Sequence, residues 1–173
     1  MITHPFFEEY KHLIETEQIL ANKERKLLIK ILEENVLSRD DIYFDTDLID
    51  KYIRFSEKWF FPLARYQKFI TPFIFLYFKK NNEPFFNEFL ITLARGGGKN
   101  GFMSTRDAFF ISPLYPVMNY DVTITANSEK QGKVSFEEVY ETIQSKGLEK
   151  TYYLTKMQII GIKHNSVFSF RTN

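Results

Sequence analysis

The chain has 173 residues, enough for one domain with a substantial core and short for two. Hydrophobic residues make up 44% and charged residues 26%, which excludes a disordered chain, and 23 Lys+Arg against 22 Asp+Glu leave a net charge of +1, without the global excess of a nucleic-acid binder. The lack of cysteine removes disulfides and thiolate metal sites, no signal-peptide pattern opens the chain, and no apolar run approaches a membrane span of roughly 18 residues, so the expectation is a soluble, intracellular protein without a membrane role.

In chain order, residues 5–36 have a helical pattern, with Leu13, Leu20 and Leu27 at heptad spacing and Leu28, Ile31 and Leu32 extending the stripe. Asn22 is placed to divide this run into two helices. The acidic stretch through Ser38, Asp40, Asp41 and Asp45 lacks the glycine and terminal glutamate of a calcium loop, and Asp45 or Thr46 reads as a helix cap. His4, His12 and His164 have no zinc-ligand spacing. From Tyr66, the residues Phe69, Ile70, Phe73, Ile74 and Tyr77 predict a helix with a broad apolar face. Pro72 interrupts it, so either the helix bends there or Thr71 caps a new one. Aromatic residues reach 17%, and their clusters at 59–61, 73–78 and 85–86 point to large packed or partner-facing surfaces.

A turn-rich connection at 79–84 leads to the apolar run 89–94, which predicts a strand entering Arg95-Gly96-Gly97-Gly98-Lys99-Asn100. Glycines let consecutive backbone N–H groups approach an anion, a following helix adds the positive end of its dipole, and Lys99 adds a full charge. That is the outline of a phosphate-binding loop. The usual pattern would place glycine at Leu93 and a hydroxyl at Asn100. Losing the hydroxyl removes the usual Mg²⁺ ligand, although the amide oxygen of Asn100 is also a hard donor. Arg95 adds a guanidinium fork suited to paired hydrogen bonds with phosphate. Taken alone, the loop reads equally well as a solvated basic turn.

Its surroundings favour the phosphate site. Residues 102–110 predict the helix that carries the loop, ended by Pro113 and Pro116, and residues 122–126 alternate as a strand. Ser128 and Gln131 have the spacing of a capping box for a helix to about Gln144, with Val134, Val139 and Ile143 among its apolar positions. Strand, loop, helix, strand, helix is the order of a parallel α/β unit. Residues 157–162 and 167–170 then predict a hairpin with His164 in its turn. After Glu149 no acidic residue follows while Lys150, Lys156, Lys163 and Arg171 remain, either as a nucleic-acid-facing edge or as a basic hairpin with acidic partners elsewhere. Downstream of the loop no apolar run ends in the carboxylate that a nucleotide hydrolase needs for its magnesium shell, and Leu48-Ile49-Asp50 lies upstream in a helical region, so the chain reads as part of a larger α/β domain.

Over residues 60–145 the chain resembles the large terminase subunit of tailed bacteriophages, the ATP-driven motor that packages viral DNA. Arg65-Tyr66-Gln67 is similar to the family's adenine-reading element, 94–100 to its variant phosphate loop, and 125–131 to the strand-to-helix element after it. The resemblance implies an incomplete P-loop NTPase-type parallel sheet flanked by helices, with an N-terminal helical region at 1–60 and the first part of the ATPase domain at 61–173. It implies catalytic roles for Arg95 and Lys99, a nucleotide site of Gln67, Arg95, Gly96, Gly97, Gly98, Lys99 and Asn100, and the cofactors ATP and Mg²⁺. Lys99 would bind the β and γ phosphates, Arg95 would sense the γ phosphate and Gln67 would hold adenine. The Walker B carboxylates and a nuclease domain would lie beyond Asn173, so this portion alone is not expected to turn over ATP well. The implied partners are double-stranded DNA, portal, small terminase subunit and further copies in a ring, in the cytoplasm of an infected bacterial host. The rivals are a helicase-type P-loop translocase and a non-enzymatic helical interaction module.

Overall fold

The computed structural model describes residues 2–172, and among these no helix is long and apolar enough to cross a membrane. The chain divides into two compact units, Met1–Asp50 with Ala64–Leu90, and Lys51–Leu63 with Ile91–Asn173.

The first unit begins with α1 (Pro5–Glu15), where His4 Nδ1 accepts a hydrogen bond from the Phe6 amide at 3.2 Å and Pro5 occupies the first helical position. Asn22 caps α2 (Lys23–Ile31) by accepting from the Arg25 amide at 3.0 Å, as expected from its break in the apolar pattern. A π-helical stretch, Leu32–Leu37, follows. Asp45 then caps α3 (Thr46–Trp59) by accepting from the Leu48 amide at 3.0 Å. Among the described residues no group of three carboxylates or histidines is placed to hold a metal.

The helix α4 (Arg65–Ile74) runs through Pro72 and stops two residues later. Thr71 Oγ1 donates to the Gln67 carbonyl at 2.8 Å, so Thr71 bonds backward within one helix rather than capping a new one. Tyr77 lies beyond this helix, in a short antiparallel ribbon of β1 (Ile42–Phe44) and β2 (Leu76–Phe78). Three residues per strand are too few to leave a periodic signature. The core joins Phe7, Leu37, Ile42, Phe69, Phe73 and Leu76, with the Tyr10 and Phe69 rings stacked at 4.6 Å.

The heptad reading requires correction. Leu13 is buried, but Leu20 and Leu27 face outward at 93% and 55% exposure, as do Leu28 and Ile31. The nonhelical connection between α1 and α2 breaks the register, and α2 turns Ile29 inward instead.

Burial lowers the His4 pKa from 6.5, and Asp50 partly opposes this. The folded state therefore favours neutral His4, whose Nδ1 must accept the Phe6 amide. The stabilisation is complete above pH 6.5 and is lost as pH falls through that value toward the lowered folded pKa. Acidification from about pH 7.5 to about pH 5.5 should lower the thermal midpoint. Asn at position 4 can cap without titrating, so His4→Asn should reduce that drop, as thermal melts of the two proteins at both pH values would reveal.

In the second unit, α5 (Lys99–Phe110), β3 (Asp121–Ala126) and α6 (Glu129–Ser145) form as expected, with Ser128 as the α6 cap. Three further strands, β4 (Tyr152–Leu154), β5 (Gln158–Gly161) and β6 (Ser166–Thr172), complete a sheet in the order β3-β6-β5-β4. This sheet is mixed, not parallel. β3 and β6 run parallel in register from Asp121↔Val167, whereas β5 pairs antiparallel with both neighbours. The short connections between β4, β5 and β6 allow only antiparallel neighbours, while the long excursion through α6 permits the parallel pair.

Val122, Ile159, Phe168 and Phe170 provide the buried side of this sheet, and Phe136 of α6 packs edge-on to Phe170 at 5.1 Å. Val139 and Ile143 are buried as expected, but Val134 is exposed. The run at 89–94 is not a strand. An apolar pattern becomes a strand only when a neighbour takes its backbone hydrogen bonds, and no described segment does so; Leu90 is 97% exposed.

Candidate phosphate-binding site

The glycine loop ends at the first turn of α5, within the second unit. Gly97 N–H donates to the Ala94 carbonyl at 3.0 Å, closing a turn, and Phe102 N–H donates to the Gly98 carbonyl at 3.1 Å as the helix begins. Gly98 is the N-cap with φ 79°, and Gly96 has φ 80°. Both angles belong to the left-handed region, where a Cβ would strain the chain. Alternating this conformation with helical entry is how a loop turns successive N–H groups toward one side.

Arg95 and Lys99 flank these glycines. Both side chains are exposed, and among the described residues neither makes a hydrogen bond or ion pair. Two uncommitted cations at the N-terminus of a twelve-residue helix form a strongly anion-favouring position. Asn100 is exposed in the first turn, and its carbonyl accepts from Ser104 Oγ at 3.0 Å.

The loop helix is anchored by polar contacts that periodicity did not reveal. Tyr52 Oη and Thr105 Oγ1 lie 2.8 Å apart in a buried pair, and burial pushes the Tyr52 hydroxyl pKa up. Ser104 Oγ donates to Glu138 Oε2 at 2.7 Å, fastening α5 to α6. The Phe61 ring lies over Gly101, where an added Cβ would come within 2.8 Å of Cζ. Asp107 is buried and bonded through Oδ1 to Arg106 at 2.9 Å, leaving Oδ2 without a hydrogen-bond partner among the described residues. Burial raises its pKa, against the pull of Arg106.

Gln67 lies in the first unit. It is only 3% exposed, unlike an ordinary surface glutamine, and Oε1 accepts from the Ala64 amide at 2.8 Å at the head of α4. Its Nε2 donates to Tyr66 Oη at 3.1 Å. The basic residues Lys150, Lys156, Lys163 and Arg171 have no ion-pair partners among the described residues. An open groove of about 590 Å³ runs along α6 past Val134, Glu137, Glu138 and Glu141, with no loop residue in its walls.

No protein-family profile and no curated protein matches this chain. Among solved structures, it is similar to the crystal structure of the HK97 bacteriophage large terminase, with a TM-score of 0.61 and 17% identity over 72% of this chain. The likeness spans 27% of that terminase's length. At this identity the likeness establishes a shared mixed α/β fold with the matched part of that structure.

Proposed function

We propose that this chain is the ATP-binding portion of a viral DNA-packaging motor. The observation that carries the reading is the pair of unpartnered cations, Arg95 and Lys99, on either side of two positive-φ glycines at the head of α5. The terminase fold gives that anion site its functional context.

In this reading Lys99 binds the β and γ phosphates and Arg95 contacts the γ phosphate. Gly96, Gly97 and Gly98 supply the close backbone approach. Asn100 offers an amide oxygen toward Mg²⁺, which would supply charge neutralisation between the phosphates. The function proposed for these residues is nucleotide binding. Double-stranded DNA, portal, small terminase subunit and further copies in a ring are the partners of that motor, which works in the host cytoplasm.

Arg95→Ala tests the specific feature of this loop. Charge-assisted phosphate contacts are worth about 1.5–3 kcal/mol, so affinity for a fluorescent ATP analogue in Mg²⁺ should fall by roughly tenfold or more. The loss should be larger for the triphosphate than for the diphosphate, because Arg95 is assigned to the γ phosphate. Equal losses would remove that assignment and leave a general phosphate contact.

A further inference from the structure

The exposed face of α2 is apolar along one side. Leu27, Leu28 and Ile31 stand at i, i+1 and i+4 and are exposed, so they share one outward side of the helix. Only Ile29 of this helix is buried. Lys23, Lys26 and Lys30 follow the spacing i, i+3, i+7 and form a basic row along one flank. Lys30 meets Glu34 at 3.7 Å in an exposed pair, whereas Lys23 and Lys26 have no ion-pair partner among the described residues. Three outward aliphatic side chains beside a row of cations are poor solvent surface and good docking surface.

We propose that this face docks a partner helix whose apolar stripe is flanked by carboxylates. The aliphatic residues would interleave with that stripe while the lysine row selects its acidic flank. A second copy of α2 is a poor occupant, because an antiparallel self-pair sets the two lysine rows against each other and a parallel pair leaves both uncompensated. Duplex DNA would satisfy the lysines but leave the aliphatic stripe uncovered. An anionic lipid surface would have to take in Glu24, which lies one turn before Leu27 and Leu28 on the same side.

The test uses the whole chain and a labelled amphipathic helical peptide with a leucine stripe and one glutamate flank, beside a version with lysine in place of glutamate. Anisotropy should register saturable binding of the glutamate peptide and at least ~10-fold weaker binding of the lysine peptide. Lys23→Glu with Lys26→Glu should reverse that preference, and Leu27→Ser with Ile31→Ser should weaken both peptides. These positions are exposed, so circular dichroism should confirm unchanged folding. Slower amide exchange in α2 on adding the glutamate peptide would support the assigned location. No binding of the glutamate peptide, or equal binding of both, overturns the proposal. So does self-association in sedimentation, or binding to phosphatidylglycerol vesicles or duplex DNA, that the lysine reversals abolish.

Discussion

Lys99→Ala is expected to reduce affinity for an ATP analogue by roughly 10- to 100-fold while leaving the fold intact. The side chain is exposed and has no hydrogen-bond or ion-pair partner among the described residues, so its removal breaks no such bond there. Surface substitutions of this kind typically change stability by no more than about 0.5 kcal/mol. In the bound state the same ammonium would face the outer phosphates at a helix N-terminus, where a charge-assisted contact is worth about 1.5–3 kcal/mol. Titration of wild type and variant with the fluorescent analogue, beside thermal melts, separates the two effects. Unchanged affinity would make the basic loop a solvated turn.

Gly161→Ala is expected to have the largest effect on stability. A Cβ at this position would lie 1.9 Å from the Ile111 carbonyl oxygen and 3.0 Å from its carbon, both backbone atoms. Gly161 cannot move aside easily, because it pairs with Tyr152 on one side and Ser166 on the other. The loop helix's C-terminal end therefore packs directly on the sheet backbone. Overpacking commonly costs 1–3 kcal/mol, and a backbone collision of this depth should reach about 3 kcal/mol or more, roughly 6–12 °C in thermal midpoint. Gly147→Ala is the contrasting case: its φ of 66° strains a Cβ, but nothing lies within 4 Å, so about 1–2 kcal/mol is expected. Calorimetry or melts followed by circular dichroism would rank the two, and equal midpoints would contradict the packing at Ile111.

The parts of this fold readable from the sequence are those fixed by neighbouring residues. Asn22, Asp45 and Ser128 marked helix starts because a cap acts on amides two or three residues away. The glycine loop was readable for the same reason, being six consecutive residues whose conformational needs are their own. The mixed sheet was not, since the pairing of β6 with β3 joins segments 46 residues apart through their backbones. Nor was the unpaired state of residues 89–94, because alternation describes a strand's faces and says nothing about what borders it. The outward stripe on α2 followed heptad spacing that equally suits a core. The contact between Ser104 and Glu138 spans 34 residues and joins two polar side chains, for which apolar periodicity carries no signal.

The anion site at the glycine loop is the claim on which the functional account depends. Amide nuclear magnetic resonance of the ¹⁵N-labelled chain during titration with Mg²⁺ and a nonhydrolysable ATP analogue tests it most directly. The account predicts saturable shifts concentrated at the Gly96, Gly97, Gly98, Lys99 and Asn100 amides, which in Lys99→Ala require roughly 10- to 100-fold more nucleotide. Static loop amides at saturating nucleotide, or shifts centred elsewhere in the chain, would contradict it.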